Sequence, residues 1–299
     1  MSNKVYNDKV SIILVNYNGN NDTLECVKSL KQIAYTNYEI IVVDNASANV
    51  DYIKSELNES VIFLQAEKNL GFAGGNNLGI SYALDNGAEY VVLLNNDTTV
   101  DKNFISDMVF SSKKNKDNGI VTGKILFHSK PDYIWYAGGE MNLNKAKIRH
   151  FGIRTKDKKI IEEKYVNFAT GCLMLIPKNV IETVGYLDDQ YFMYCEDAEF
   201  CVRLKKNGYS IIYNSEAVIY HKVSASSGGA GSKLSQYYRT RNELYLVSHY
   251  SDHKIQGIIF CLLRFLKRIM KGQFSVNCVR YGIRDYMNSN MGMTNISFR

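Results

Sequence analysis

Val10-Ser11-Ile12-Ile13-Leu14-Val15-Asn16-Tyr17-Asn18-Gly19, followed by Glu39-Ile40-Ile41-Val42-Val43-Asp44, decides the fold. Each holds a short run of β-branched and aliphatic residues, the pattern of a strand buried on both faces. Between them Asn21 to Ile33 reads as a helix opening near Asn21-Asp22-Thr23. Strand, helix, strand implies a parallel sheet. Val61-Ile62-Phe63-Leu64 adds a third strand, Asn76 to Asn86 a helix and Tyr90-Val91-Val92-Leu93-Leu94 a fourth strand. Ligands of such sheets lie beyond the carboxyl ends of the strands. The residues that matter there are Asn16-Tyr17-Asn18, Asp44-Asn45-Ala46-Ser47, Glu67 to Asn77 and Asn95-Asn96-Asp97.

After Asp101 a helix runs toward Lys114, and shorter strands are expected at Ile120 to Phe127, Ile134 to Ala137, Tyr165 to Phe168 and Thr170 to Pro177. Helices follow at Lys178 to Val184 and Ala198 to Asn207. Ser210 to Tyr213 and Ala217 to Tyr220 read as two closing strands, and Leu234 to His249 as a helix. Ser224 to Ser232, rich in Gly and Ser, is either a lid over the site or a plain surface connection. The division expected is a nucleotide-binding half at 1–100, a second half of the same domain at 101–250, and a basic amphipathic helical tail at 251–299.

The chain has 299 residues and 45% apolar content, enough for a sizeable core. Its six cysteines show no CxxC and no zinc spacing, which fits reduced thiols in the cytoplasm. The first residues lack the apolar core of a signal peptide, and no run of about 18 apolar residues appears. Residues 254–299 carry eight Lys/Arg against Asp285 alone, so the net charge of +6 resides in the tail. There Ile255, Ile258, Ile259, Leu262, Phe265, Leu266 and Ile269 recur at helical spacing, with Arg264, Lys267, Arg268 and Lys271 around them. Such a helix lies either on the anionic inner face of a membrane or against the body or a second subunit as a homodimer contact. No motif of a nucleic-acid-binding fold accompanies the charge, so nucleic acid is not an expected partner.

Two acidic sites carry the chemistry. Asp97 ends the fourth strand and its turn, where a carboxylate can hold a divalent cation; Glu196-Asp197 opens a helix after Tyr191-Phe192-Met193-Tyr194-Cys195 and can take a proton from a substrate. The bland alternative for the pair is a helix cap that complements the dipole.

Together, Ser11 to Gly19, Val42-Val43-Asp44-Asn45-Ala46-Ser47, Asn69-Leu70-Gly71-Phe72-Ala73-Gly74-Gly75-Asn76-Asn77, Leu94-Asn95-Asn96-Asp97 and Glu196-Asp197 resemble the family 2 glycosyltransferases over about residues 8 to 250. The branch they are similar to is the rhamnosyltransferase-like one of bacterial surface polysaccharide biosynthesis. The resemblance implies an α/β GT-A fold, a Rossmann-like, mostly parallel sheet flanked by helices, with the basic tail as a C-terminal helical extension. It also implies a nucleotide-diphosphate sugar donor, inversion at the anomeric carbon, and a divalent cation, Mn²⁺ or Mg²⁺.

Carried onto this chain, the resemblance gives Asp44 to the pyrimidine base, with Val15, Asn16 and Tyr17 as the other wall of its pocket; Asp44 is equally a good cap for the next helix. Gly71, Asn76 and Asn77 would leave room for the diphosphate at a helix start, or form a tight turn. Asp97 matches the last position of the DxD motif, while Asn95 stands at its first and Asn96 at its middle position. Losing one anionic ligand weakens the metal site, although an amide oxygen still suits a hard cation. His221 matches a histidine that completes that site in relatives. Asp197 is assigned as general base, Glu196 as the group orienting it. Apart from the resemblance, aromatic faces suit the C–H surfaces of sugars, which makes Tyr194 and Trp135 candidate acceptor contacts, with a place in the core as the alternative for each. Gln236-Tyr237-Tyr238-Arg239-Thr240-Arg241-Asn242 is similar to the QxxRW of processive synthases, but Thr240 occupies the Trp position. Arg239 or Arg241 is then left to neutralise the diphosphate.

The expected function is transfer of a sugar from dTDP-rhamnose or a UDP-hexose to a hydroxyl of a glycan or lipid-linked saccharide. Two rivals remain: a sugar-nucleotide pyrophosphorylase, which lacks its basic glycine-rich loop here, and a non-catalytic nucleotide-sugar or glycan-binding module, which the Asn95 change favours and the retained Asp97, Glu196, Asp197 and His221 oppose.

Overall fold

The computed structural model describes residues 6–115, 117–223, 231–296 and 298. Most of the Gly/Ser stretch read as a lid, residues 224–230, lies outside them. Strand β1 (Val10–Asn16), helix α1 (Asn20–Leu30), β2 (Tyr38–Asp44), α2 (Val50–Glu56), β3 (Val61–Gln65), α3 (Gly71–Asp85) and β4 (Tyr90–Leu94) come first. Next are β5 (Thr98–Val100), α4 (Phe104–Lys114), β6 (Asn118–Phe127), β7 (Lys130–Tyr136), β8 (Gly139–Asn142), β9 (Lys147–His150), β10 (Glu163–Val166) and β11 (Leu173–Pro177). The chain continues through α5 (Lys178–Val184), α6 (Glu196–Lys206), β12 (Ser210–His221), α7 (Lys233–Tyr250), α8 (Lys254–Met270) and α9 (Val276–Met287).

The β-branched runs pair as their composition demands. One sheet runs in the order β10-β12-β6-β11-β4-β1-β2-β3, with β5 added on β12 and β7 on β6; β8 and β9 form a separate hairpin. From β3 to β4 all neighbours are parallel, and β11 then enters antiparallel between β4 and β6. Ile12, Ile13, Leu14 and Val91 to Leu93 are covered on both faces, each large side chain contributing about 1.5–3 kcal/mol before chain entropy is set against it. The register of β1 on β2 ends with Asn16 beside Asp44, so the two polar strand tips meet at one edge.

Elements α2, β5, β8 and β9 were not expected, and two of the expected elements take a different form. Helix α3 begins at Gly71, not Asn76. Its glycines serve close packing: a methyl group on Gly75 would stand 2.8 Å from Val15, and one on Gly79 2.6 Å from Ile13. That closeness to β1 offsets the poor helix propensity of glycine. The second difference is β12, a single strand where two were expected. Its register on β6 shifts between Asn214 and Val218, so Ser215-Glu216-Ala217 form a bulge instead of a break. Gly123 on β6 makes room for it, since a side chain there would collide with the Ala217 carbonyl.

The tail is docked on the body. Helix α9 packs on α7 where Gly282 meets Thr240 and the Tyr237 carbonyl, and the Tyr237 hydroxyl donates to Asp285 at 2.7 Å.

Candidate active site

The strand tips are joined by one chain of hydrogen bonds. Asn16 donates through Nδ2 to Asp44 Oδ2 at 2.8 Å, and the Ser47 amide donates to Asp44 Oδ1 at 2.9 Å. Thr23 donates to Asn16 Oδ1 at 2.9 Å and accepts from Asn96 Nδ2 at 2.8 Å. The loop after β4 is thereby tied through α1 to the tips of β1 and β2. Thr23 was not singled out in the sequence; its only signal is its place in the opening turn of α1, behind Asn16. Asp44 is 0% exposed and holds two protein donors, one on each carboxylate oxygen, which fixes it at the tip of β2 beside Asn16. Asn16 is likewise buried, Val15 is half-buried against α3, and Tyr17 is exposed beside them.

The glycine segment is tied to the same edge. Asn45 holds it, accepting from the Leu70 amide at 2.8 Å and donating to the Gly71 carbonyl at 2.9 Å. Gly71 has φ +73°, and a side chain there would collide with the Phe192 carbonyl. Helix α3 starts at Gly71, so Asn76 and Asn77 lie within it and not at its start. The Asn76 amide donates back to the Phe72 carbonyl at 2.8 Å, and Asn77 clamps Leu187 by donating to its carbonyl and accepting from its amide.

At the end of β4, Asp97 Oδ1 lies 3.0 Å from His221 Nε2. Pairing of β5 with β12 sets His221 opposite Thr98, which makes this meeting a consequence of register. The Asn95 amide stands 3.5 Å from the same ring nitrogen, and the Asn95 backbone amide donates to the Cys172 carbonyl at 3.0 Å. Burial works against a charged His221 ring, but the neighbouring Cys172 and Asp97 outweigh it and hold its pKa up at about 10. Trp135 presses edge-on against the ring, centroids 4.6 Å apart, and also against His150. His150 is its opposite, kept neutral with a pKa pushed down to about 4 by burial. Trp135, itself half-buried, thus packs against both histidine rings.

The second acidic site rests on a strained turn. Phe192, Tyr194 and Cys195 have φ of 62°, 69° and 74°, a left-handed run that non-glycine residues hold only when the surroundings enforce it. Asn242 on α7 enforces it, its side-chain amide donating to the carbonyls of Tyr191, Met193 and Tyr194 at 2.8, 2.9 and 2.8 Å. From this turn α6 opens with Glu196 and Asp197. Asp197 Oδ2 accepts from the Gly171 amide at 3.1 Å and Oδ1 from the Ala198 amide at 2.8 Å. Burial raises the pKa of Asp197 above the ordinary carboxylate value, while those amides and the charge of Arg239 draw it back. Glu196 is buried with one carboxylate oxygen unpartnered, and burial together with the charge of Asp197 pushes its pKa well up. A neutral Glu196 beside an ionisable Asp197 separates the two roles. Gly171 and Cys172 link the acidic sites, since the first binds Asp197 and the second Asn95.

Arg239 and Arg241 part company. Arg241 is 1% exposed and donates to the carbonyls of Tyr191, Asn290 and Gly292 at 3.3, 3.2 and 2.8 Å, so it cannot meet a diphosphate. Arg239 is half-buried, lies over the Tyr194 ring with its guanidinium 5.8 Å from the centroid, and makes no hydrogen bond or ion pair among the described residues. Asn242, like Thr23, was not among the residues expected at the site.

Residues 11–185 match the family model described as Glycosyl transferase family 2. The chain is 30% identical over 210 residues to the low-salt glycan biosynthesis hexosyltransferase Agl10 of Haloferax volcanii, covering 68% of this chain and 64% of that protein. It therefore spans less than two thirds of this relative. It is 23% identical over 269 residues to the dTDP-rhamnosyl transferase RfbF of Shigella flexneri, covering 86% of this chain and 87% of that one. Among solved structures it is similar to GalNAc-T7 with UDP, GalNAc and Mn²⁺, with a TM-score of 0.66 at 15% identity over 94% of this chain and 57% of that one, a likeness of fold alone.

Proposed function

Because this chain belongs to glycosyl transferase family 2, is a glycosyltransferase and has the GT-A fold, we propose that it transfers a sugar with inversion from a pyrimidine nucleotide-diphosphate donor, dTDP-rhamnose or a UDP-hexose, to a hydroxyl of a glycan or lipid-linked saccharide. The observation that carries this reading is Asp197, a carboxylate aimed by two backbone amides and linked through Gly171 and Cys172 to the Asp97 and His221 pair. The donor's anomeric carbon belongs between those groups. The acceptor oxygen attacks that carbon and its proton passes to Asp197, while the bond to the diphosphate oxygen breaks and the electron pair leaves with the nucleotide. Positioned base catalysis of this kind contributes about 10²- to 10⁴-fold.

Arg239 is the free guanidinium beside this position and would take charge on the diphosphate. Tyr17 offers its ring to the base over the floor formed by Asn16 and Asp44, and Tyr194 offers its ring to the acceptor. Asp97 and His221 fit a divalent cation in donor type, a hard oxygen from the turn before β5 and an imidazole nitrogen from β12 that would give up its proton on binding. The set is small: no group of three or more His, Cys, Asp or Glu able to hold a metal occurs among the described residues. The donor's phosphates and Asn95 would complete it. When bound, Mn²⁺ or Mg²⁺ would neutralise charge on the leaving diphosphate. Six free thiols, five of them buried, fit work in the cytoplasm.

The test is thermal stabilisation by UDP, dTDP, GDP and CMP with Mn²⁺ or EDTA, followed by transfer with Asp197→Asn. Stabilisation by UDP or dTDP alone, kept in the variant while transfer is lost, supports the reading. Transfer at the wild-type rate in Asp197→Asn would remove Asp197 as base.

A further inference from the structure

Helix α8 is apolar on two faces, and only one of them is covered. Gly257, Cys261 and Phe265 are buried against the body, joining Leu244 and Val247 of α7, with Ile258 and Ile269 at the edges. The approach is close, since a side chain on Gly257 would stand 2.4 Å from Val247. The apolar repeat seen in the sequence therefore divides. Ile255, Ile259, Leu262 and Leu266, together with Leu263 and Met270, turn outward and are 42–79% exposed. Their spacing of four, three, one, three and four residues keeps them in one stripe, about 22 Å long at the rise of an α-helix. A soluble monomer rarely leaves such a stripe open without a partner.

We infer that this face of α8 docks on a lipid bilayer bearing anionic headgroups, the helix lying in the plane of the surface. Charge selects that occupant. Lys254, Lys267 and Lys271 are exposed along α8, and residues 254–299 hold eight Lys/Arg. Their one acid, Asp285, is buried and paired with Arg284 at 2.8 Å. A second copy would bring like charge to like charge, whereas an anionic surface takes up the apolar stripe and the lysines together. No described helix is long and apolar enough to cross a membrane, so the contact is interfacial. Helix α7 carries both the seat of α8 and Asn242, so the docked surface and the Glu196-Asp197 turn are held by one rigid element. Only the choice of a lipid-linked acceptor rests on the transfer reading; the docking does not.

Sedimentation with vesicles of phosphatidylcholine mixed with phosphatidylglycerol, against pure phosphatidylcholine, tests this without any assay of transfer. The chain should sediment with the mixed vesicles, less so as salt rises. Leu262→Glu with Leu266→Glu, both at exposed positions, should weaken that binding at least about 100-fold while leaving the melting temperature unchanged. Lys267→Glu with Lys271→Glu should weaken it on mixed vesicles only. Failure of the wild type to sediment, or wild-type sedimentation of the leucine variant, overturns the inference. So does equal binding to pure phosphatidylcholine, or a wild-type dimer in sedimentation velocity that the leucine variant dissolves without any vesicle binding.

Discussion

The side-chain amide of Asn242 on α7 holds the backbone carbonyl of Tyr194 at 2.8 Å, three residues before the carboxylate assigned as base. It also holds the Tyr191 and Met193 carbonyls, so one side chain fixes a turn with three left-handed residues. Asn242→Ala should lower kcat by about 10- to 100-fold, as expected when a reacting group drifts from its aim, and cost about 1–3 kcal/mol through the carbonyls left unpaired. Asn242→Asp, which cannot donate, should not restore the rate. Steady-state kinetics with a melting curve for each variant would separate lost aim from lost fold: a normal kcat in Asn242→Ala denies the turn its part.

Asp197 must be ionised to accept a proton, and burial holds its pKa above the usual carboxylate value. The rate should therefore fall on the acid side, through a midpoint higher than that of an ordinary aspartate. Arg239 draws that pKa down, so Arg239→Ala should move the acid limb to higher pH and raise the KM for donor. A pH profile of kcat for both proteins checks this, and an unmoved limb would separate Arg239 from the site.

Arg241→Ala should act on stability. Its guanidinium joins α7 to the carbonyls of Asn290 and Gly292 in the tail and of Tyr191 before the turn. Leaving these groups unpaired in a buried place costs about 2–4 kcal/mol. Denaturant unfolding would show a lower midpoint, whereas Arg239→Ala should unfold close to wild type.

Asp107 on α4 has its pKa raised to about 6, by burial and then by the nearby Glu216 and Asp101. A raised folded-state value means the native protein binds this proton more tightly than the unfolded chain. Stability from the neutral form is thus present below about pH 4 and lost as pH rises through about 6. Asp107→Asn should raise stability by about 1 kcal/mol at pH 7 to 8, after allowance for solvent screening, and change little at pH 4. Melting curves at the two pH values test the sign.

Much of this was legible in the chain. β-branched runs located β1, β2, β3 and β4, and the acids after them located Asp97 and the Glu196-Asp197 pair. Glycine hid the start of α3, because its poor propensity outweighs in sequence what close packing on Ile13 and Val15 supplies in space. Arg239 and Arg241 stand two apart on one helix and so point to different sides, which left one of them free and the other buried. Asp44 matched a motif yet lies under the surface, since burial follows from the register of two strands and not from the residue. Thr23 and Asn242 carry no motif; their roles exist only where chain segments meet.

The antiparallel entry of β11 and the pairing of β12 with both β5 and β6 also set an order of assembly. Strands β1 to β4 are near neighbours in sequence, and Asn16 and Asp44 can pair without any later strand. His221 reaches Asp97 only when β12 has closed against β5, across more than a hundred residues of sequence. Loop closure over that span is slow relative to the pairing of neighbours. A chain that stops before β12 lacks His221, so the Asp97 and His221 pair exists only where the early and late halves of the sequence have met.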